Sequence, residues 1–492
     1  MYKLYENVKS LEQYVSRKYG LTESVMIENA AAALEQEVRL HAGTEDAPVC
    51  VVCGSGNNGA DGYALARRIA GEIPVSVYCA AEPKSEDCIR QHAAASAAGA
   101  RFVSRASFLQ ELAACGIMVD CMYGTGFHGA LDDETAGLIE KINNASCFRI
   151  TCDIPSGIDK FGAVATMCAD GPLAFRADVT VTMGARKTAL FSDAAKDFCG
   201  CIRCAGIGVS SALFESEVPD AYLLAPSDMK LPVRTGKSVH KGDFGHAVVA
   251  AGEKEGAAVL AGTAALNFGA GLVTLVDLLP KRRTAFRMPP ELMCGTELPA
   301  NTTAVLLGSG LGRSDYNIVK TVEQWLAAHK TAGLVLDADM FYFDGIMRLF
   351  DSFAEKCPDA RVVLTPHPKE FQSLMNLCAL GDYTIQQLAD GRLSYVKKFT
   401  SRFPHTVLVL KGANTVISCR GGIFISTEGR PCLAKAGSGD VLAGFICALL
   451  AQGYSAEDAA VTGVLAQGCA SQHAESSYSM TPLKLIKSAA RL

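Results

Sequence analysis

Ala47-Pro-Val-Cys-Val-Val-Cys-Gly-Ser-Gly-Asn-Asn-Gly-Ala-Asp-Gly62 is the stretch on which the fold turns. Its first half, a β-branched apolar run, reads as a buried strand, and its glycines end that run. The alanine-rich DGYALARRIAG that follows reads as a helix. A strand passing into a helix through a tight glycine turn is the start of a parallel βαβ unit. Downstream, IPVSVYCAAE, CIRQHAAASAAGA, GIMVDCMYGTG, FRITCDIPSG and ADVTVTMG continue the alternation to about residue 209. The pattern predicts an open α/β sheet with helices on both faces.

From Ser210, the segment SSALFESEVPDAYLLAPSDMKLPVRTGKSVHKGDFG is proline-bearing and rich in turns. It marks the expected boundary between one domain at 1–215 and another at 221–492. A second α/β series follows: HAVVAAG, LVTLVDLL, TAVLLGSGLG, GLVLDAD, ARVVLTPHP, HTVLVLKGANTVIS and GGIFIST, then two helical segments after AKAGSGD. The two series share no register of motifs, so they predict two different domains and not a repeat.

The length of 492 residues agrees with two large domains. With 49% apolar and 20% charged residues, both should fold throughout. A net charge of −5 leaves no basic field for nucleic acid or an anionic membrane, so neither is expected as a partner. The 19 cysteines are odd in number and scattered through apolar runs, which reads as reduced thiols. The opening MYKLYENVKSLEQYVSRKYG has no apolar core of signal-peptide length, and a cytoplasmic protein is expected. Gly256 to Val276 lacks charges, but its four glycines, two threonines and asparagine predict a packed helix and a strand in place of a membrane span.

Gly54 to Gly62 contains G-x-G-x-x-G, and Glu82 near the end of the next strand lies at about the spacing of a ribose-binding acid. Free N–H groups and the helix dipole there suit a phosphate, although the same glycines serve a plain turn. The Asn57-Asn58 pair and Asp61 exceed what either use needs, and suggest a site for a sugar, a cation or a reacting hydroxyl. Asp120 in MVDCMYGTGFHGA and Asp153 in TCDIPSGID end two further strands. The carboxyl ends of parallel strands line the ligand crevice, so these segments can converge. Oxygens of Asn58, Asp120 and Ser156 suit a hard monovalent or divalent cation. Cys199, Cys201 and Cys204 have no partner pair nearby and read as strand packing.

In the second series, Ala436-Gly-Ser-Gly-Asp440 precedes a helix whose Val441, Leu442, Phe445, Ile446, Leu449 and Leu450 form an apolar face. N–H groups at that helix start form an anion hole for a phosphoryl group, and Asp440 can take a proton from an acceptor hydroxyl. Lys411-Gly-Ala-Asn-Thr415 ends a strand with a cation, a turn and a hydroxyl, as a nucleotide-phosphate site requires. Thr365-Pro-His-Pro-Lys-Glu370 holds His367 between two prolines, where it can contact a substrate.

Over essentially its whole length the chain resembles the bifunctional NAD(P)H-hydrate repair enzymes, in which an epimerase domain precedes an ADP-dependent dehydratase domain. The motifs that carry the resemblance are MIENA, GSGNNGADG, VDCMYGTGF, DIPSGID and ADVTVTMGARK in the first half. In the second they are HKGDFG, GAAVLAG with AALNFGAGLVT, LGSGLG, TPHPKEF, KGANT and AGSGDVLAGFICALLAQG. The resemblance implies two three-layer αβα domains, an N-terminal Rossmann-like one and a C-terminal ribokinase-like one. It implies epimerisation of R- and S-NAD(P)HX and dehydration of the S form at the expense of ADP.

Carried onto this sequence, Asn58, Asp120 and Ser156 would bind potassium. Asn57, Asn58, Gly59, Ala60, Asp61, Gly124, Thr125, Gly126, Phe127, His128, Gly129, Ala130 and Asp153 would hold the hydrated dinucleotide, with Asp120 or Asp153 assisting proton transfer. Ala257, Gly310, His367 and Asp440 would contact the same substrate in the second domain. Lys411, Gly412, Ala413, Asn414, Thr415 and Gly439 would hold the nucleotide with its magnesium. ADP is the implied donor with ATP the alternative, and a homo-oligomer is expected. Three residues depart from the family's pattern: Ala60 for a glycine, Ser438 for threonine and Lys369 for glycine. Alanine at 60 is tolerable where φ is negative. Competing readings are a ribokinase-like small-molecule kinase fused to a non-catalytic Rossmann-like binding module, and a dehydrogenase resting only on the glycine fingerprint.

Overall fold

The computed structural model describes residues 1–42, 48–277, 288–312, 317–357 and 359–492. The chain divides into two compact units, Lys3–Ala221 and Tyr222–Leu492, the second also taking Met1–Tyr2.

In the first unit, helices α1 (Val8–Tyr19) and α2 (Glu23–His41) precede strand β1 (Val49–Cys53), which passes through the Gly54–Gly56 turn into α3 (Asn57–Ile69). Strands β2 (Val75–Cys79), β3 (Arg101–Phe102), β4 (Ile117–Cys121), β5 (Phe148–Cys152), β6 (Val179–Met183) and β7 (Cys201–Ala205) complete the sheet. All pairs are parallel, in the order β3-β2-β1-β4-β5-β6-β7. Every residue of β1, β4 and β6 is buried, as an unbroken apolar run requires when helices cover both faces. One face packs Leu11, Ile27, Leu34 and Leu65 of α1 to α3, and the other packs Phe108, Leu138, Ile142 and Phe175. The strand order reverses between β1 and β4, so a crevice opens beyond their carboxyl ends in this Rossmann-like unit.

The second unit has strands β8 (His246–Ala250), β9 (Leu272–Val276), β10 (Met293–Gly295), β11 (Ala304–Leu307), β12 (Gly333–Leu336), β13 (Arg361–Leu364), β14 (Thr406–Leu410), β15 (Thr415–Cys419) and β16 (Gly422–Ser426). Their order is β16-β15-β14-β13-β12-β11-β8-β9-β10, with β15 antiparallel to both neighbours and the other pairs parallel. Helix α4 (Glu255–Asn267) and strand β9 occupy the uncharged stretch, and positions 278–279 of the run LVTLVDLL lie outside the described residues. Helix α5 (Pro368–Leu377) follows β13. Helix α6 (Ser438–Ala451) is buried on all sides from Val441 onward, where its spacing predicted one apolar face. It shares a core with α4 and α7 (Ala456–Ser471), and its Gly444 approaches so closely that a Cβ there would lie 2.3 Å from the Ala261 carbonyl oxygen of α4. This is the ribokinase-like unit.

Among the described residues no helix is long and apolar enough to cross a membrane. All 19 cysteines are free thiols. Cys201 and Cys204 lie in β7, and among the described residues no group of three or more His, Cys, Asp or Glu is placed to hold a metal ion.

Candidate functional site

The glycine turn of the first unit is shaped by close approach. Gly54 N donates to the Cys121 carbonyl at 2.9 Å, and a Cβ on Gly54 would lie 2.0 Å from the Met122 carbonyl oxygen. A Cβ on Gly59 would lie 2.0 Å from the Gly54 carbonyl oxygen, and one on Gly62 2.7 Å from Cys53 Sγ. Ala60 is wholly buried within α3 and is not among the residues of positive φ, so its methyl group is accommodated without strain.

Asp120, wholly buried in β4, is surrounded by donors. Its Oδ1 accepts from Met122 N at 3.1 Å and Ser156 Oγ at 2.7 Å, and its Oδ2 from Ser156 N at 2.9 Å and Thr151 Oγ1 at 3.0 Å. Burial pushes its pKa up, against the pull of these hydrogen bonds. Asn58 Nδ2 donates to the Tyr123 carbonyl at 2.9 Å, and Tyr123 N donates to Ser156 Oγ at 3.1 Å. Asn58 is thus linked to Ser156, and through it to Asp120, by the Tyr123 backbone. A donor set of one carboxylate, an amide and a hydroxyl, with no sulfur or imidazole, fits a weakly charged hard cation.

Beyond this floor opens a cavity of ≈ 1130 Å³ lined by Asn57, Asn58, Asp61, Gly124 to His128 and Asp153. Gly59, Ala60, Asp120, Ser156, Gly129, Ala130 and Glu82 do not line it. Gly59, Ala60, Asp120 and Ser156 are packed beneath its wall, and Gly129, Ala130 and Glu82 are exposed. Asp153 adopts φ +70°, a left-handed conformation unusual for a non-glycine residue. Its Oδ1 accepts from Met183 N at 3.1 Å and lies 2.5 Å from Lys187 Nζ. Lys187 is buried, and also donates to Thr182 Oγ1 at 3.1 Å and the Met183 carbonyl at 3.0 Å. Asp61, another buried carboxyl on the wall, takes the Cys152 thiol at 3.5 Å, and burial holds its pKa well above the carboxylate range. Lys187 ends the motif ADVTVTMGARK, but no local feature marks that lysine as buried.

In the second unit, Asp440 sits in the first turn of α6 behind Gly437, whose φ is +93°. Burial, then the neighbouring Asp337, push its carboxyl up to about 7. Lys411 Nζ lies 3.1 Å from Asp337 Oδ1 and 3.7 Å from Glu370 Oε2. Burial opposes its charge, yet Asp337, Glu370 and Asp440 together raise its pKa. A Cβ on Gly439 would lie 3.4 Å from Lys411 Nζ, so the lysine reaches the start of α6. Ser309 Oγ, wholly buried, donates to Asp337 Oδ2 at 3.2 Å and also bonds Asp440.

His367 caps α5. Its Nδ1 accepts from Glu370 N at 3.2 Å, its Nε2 lies 3.1 Å from Glu370 Oε1, and burial followed by the Lys411 charge lowers its pKa. Gly310, at φ +69°, abuts Ala257: a Cβ there would lie 2.9 Å from Ala257 Cβ. Gly412 and Ala413 are exposed in the turn before β15, Asn414 is buried, and Thr415 begins the strand. Sequence reasoning passed over Asp337, although it ends the buried run GLVLD just as Asp120 ends GIMVD. The same strand-end rule would have found it.

Fold and sites together define a class: a Rossmann-like unit with an acidic cavity joined to a ribokinase-like unit whose helix start carries a carboxyl poised near neutrality. A family profile described as YjeF-related protein N-terminus matches residues 23–189, and one described as NAD(P)H-hydrate dehydratase matches residues 247–491. The bifunctional NAD(P)H-hydrate repair enzyme Nnr of Helicobacter pylori is 39% identical over 488 residues, covering 99% of each chain. That of Coxiella burnetii is 32% identical, covering 96% of this chain and 94% of its own. A crystal structure of the ADP/ATP-dependent NAD(P)H-hydrate dehydratase from Bacillus subtilis with ATP and Mg2+ covers 53% of this chain and 92% of its own, at 25% identity and a TM-score of 0.42. The chain belongs to the family of bifunctional NAD(P)H-hydrate repair enzymes.

Proposed function

We propose that residues 1–215 interconvert the R and S hydrates of NADH and NADPH, and that residues 221–492 return the S hydrate to NAD(P)H while ADP becomes AMP and phosphate. The hydrate carries a hydroxyl on C6, beside the ring nitrogen, and cannot deliver hydride until that hydroxyl leaves. In the second unit Asp440 takes the C6 hydroxyl proton as the oxygen attacks the terminal phosphoryl group of ADP. AMP departs, and phosphate then leaves C6 with loss of the neighbouring C5 proton, restoring the ring double bond. Lys411 to Thr415 and Gly439 hold the nucleotide, while Ala257, Gly310 and His367 contact the hydrate. Asp337, Glu370 and Asp440 outnumber the single ammonium of Lys411, a surplus of negative charge suited to magnesium arriving with the nucleotide. When bound, magnesium offsets charge on the transferring phosphoryl group.

In the first unit Asn57, Asn58, Asp61, Gly124 to His128 and Asp153 surround the hydrate. Between the two strand-end carboxylates, Asp153 faces the cavity and is the one suited to proton transfer, while the fully enclosed Asp120 shapes the floor. Asn58, Asp120 and Ser156 would hold potassium, which supplies a fixed positive charge beneath the cavity. The working compartment is the cytoplasm and the assembly a homo-oligomer.

The observation that carries this reading is the Asp440 carboxyl, held near neutrality at a helix N-terminus within reach of Lys411. The test is recovery of dihydronicotinamide absorbance from chemically hydrated NADH on adding ADP or ATP. Asp440→Asn should lower S-hydrate turnover by ~10²–10⁴ while nucleotide still binds. Full activity in that variant overturns the mechanism, and a stable phosphorylated dinucleotide would support a kinase instead.

A further inference from the structure

We infer that Glu12, on α1, donates the proton that lets the C6 hydroxyl depart during epimerisation; the inference rests on the epimerase reading of the N-terminal cavity. Helix α1 lies before the residues matched by the N-terminal family profile, and no motif singled it out. Glu12 nevertheless lines the cavity together with Asp61, Asp153 and Lys187.

The charges there do not balance. One buried ammonium, Lys187, faces three carboxyls, and it is committed to Asp153 at 2.5 Å. Glu12 and Asp61 repel each other as anions, and burial pushes both pKa values up. Lys187 and Lys9 also face Glu12 and pull its pKa down, Asp153 and Glu23 push it up with burial, and the net direction is up. Of these two carboxyls, Asp61 is nearly sealed in α3 and takes the Cys152 thiol, whereas Glu12 is only partly buried and approaches from another helix. A carboxyl whose pKa burial raises and an ion-paired carboxylate lining one cavity suit the two roles epimerisation needs, an acid and a base.

The C6–O bond breaks with its electron pair going to oxygen, which takes the Glu12 proton and leaves as water. The N1 lone pair closes a C6=N1 iminium. Water then adds to the opposite face of C6 and yields its extra proton to Asp153, from which the proton returns to Glu12 through solvent.

The test follows conversion of R-hydrate to S-hydrate by the full chain in potassium buffer across a pH series, for wild type, Glu12→Gln, Glu12→Asp and Asp61→Asn. Matched circular dichroism melts establish folding. Wild type should lose rate as pH rises and its acid ionises, Glu12→Gln should fall by ~10²–10⁴ and lose that alkaline limb, and Glu12→Asp should keep part of both. A wild-type rate or an intact alkaline limb in Glu12→Gln overturns the assignment, as does disappearance of the limb in Asp61→Asn alone. A wild type that does not epimerise overturns the reading of the cavity itself.

Discussion

In the N-terminal unit the buried ammonium of Lys187 lies 2.5 Å from Asp153, the carboxylate that faces the cavity. In the C-terminal unit Lys411 lies 3.1 Å from Asp337 and 3.7 Å from Glu370, while Asp440, across Gly439, is left with its carboxyl near 7. The same ingredients, one lysine and several buried carboxyls, therefore yield two electrostatic outcomes. A carboxylate in direct contact with the lysine has an ammonium to answer its charge. One whose neighbours have already claimed the lysine exchanges its proton near neutrality, as a base in a turnover cycle must.

Breaking the direct pair has the largest expected effect. Lys187→Met leaves the Asp153 carboxylate enclosed without its cation, which should cost about 3–5 kcal/mol. The chain has one tryptophan, Trp325, in the C-terminal unit. Denaturation followed by circular dichroism should then gain an earlier transition, while the tryptophan fluorescence transition stays in place. Loss of both together would show that the pair does not govern the N-terminal unit alone.

Lys411→Ala removes a charged donor from the nucleotide's phosphates, a loss of about 1.5–3 kcal/mol. Calorimetric titration with ADP should show affinity weakened tenfold or more, with a smaller effect on turnover at saturating nucleotide. A reversed emphasis, with turnover lost and affinity kept, would move Lys411 from binding to proton transfer.

The pH dependence sharpens the contrast without mutating the lysines. Dehydration needs ionised Asp440, so kcat/KM should rise with pH through about 7 and level off above it. Stability should run the other way. Folded Asp440 keeps its proton up to about 7, whereas the unfolded chain releases it in the ordinary carboxylate range. The folded state therefore binds more protons between those values, and its contribution to stability is lost as pH rises through them. Above that window Asp440→Asn should melt at a higher temperature than wild type, and an equal or lower Tm would contradict the raised carboxyl.

The smallest effect is expected from restoring the family's glycine. Ala60→Gly places glycine inside α3, which should cost about 0.5–1 kcal/mol by chemical denaturation.

Much of this was legible locally. The run from Val49 to Gly62 reads as strand, turn and helix because side-chain period and glycine conformation are properties of neighbouring residues. Asp120, Asp153 and Asp440 stood out for a related reason: each sits where a regular element starts or ends, and such boundaries are marked in the chain. The burial of α6 was not legible in full. Its alanines and glycines give no strong apolar stripe on the remaining faces, and those faces are buried because α4 and α7 pack there.

The sequence by itself determined the two α/β series, the glycines that close contact demands, the strand-end acids and the family. Only the tertiary structure decided which charges meet. Lys187 and Asp153 come from different strand ends, Lys411 and Asp337 are 74 residues apart, and Glu12 reaches the first cavity from a helix before the first strand of its sheet. Hydrophobic period and turn chemistry act over a few residues and leave a trace in the chain. Ion pairing and burial act through space, so the ionisation state of each carboxyl emerges only after the sheets have brought its neighbours to it.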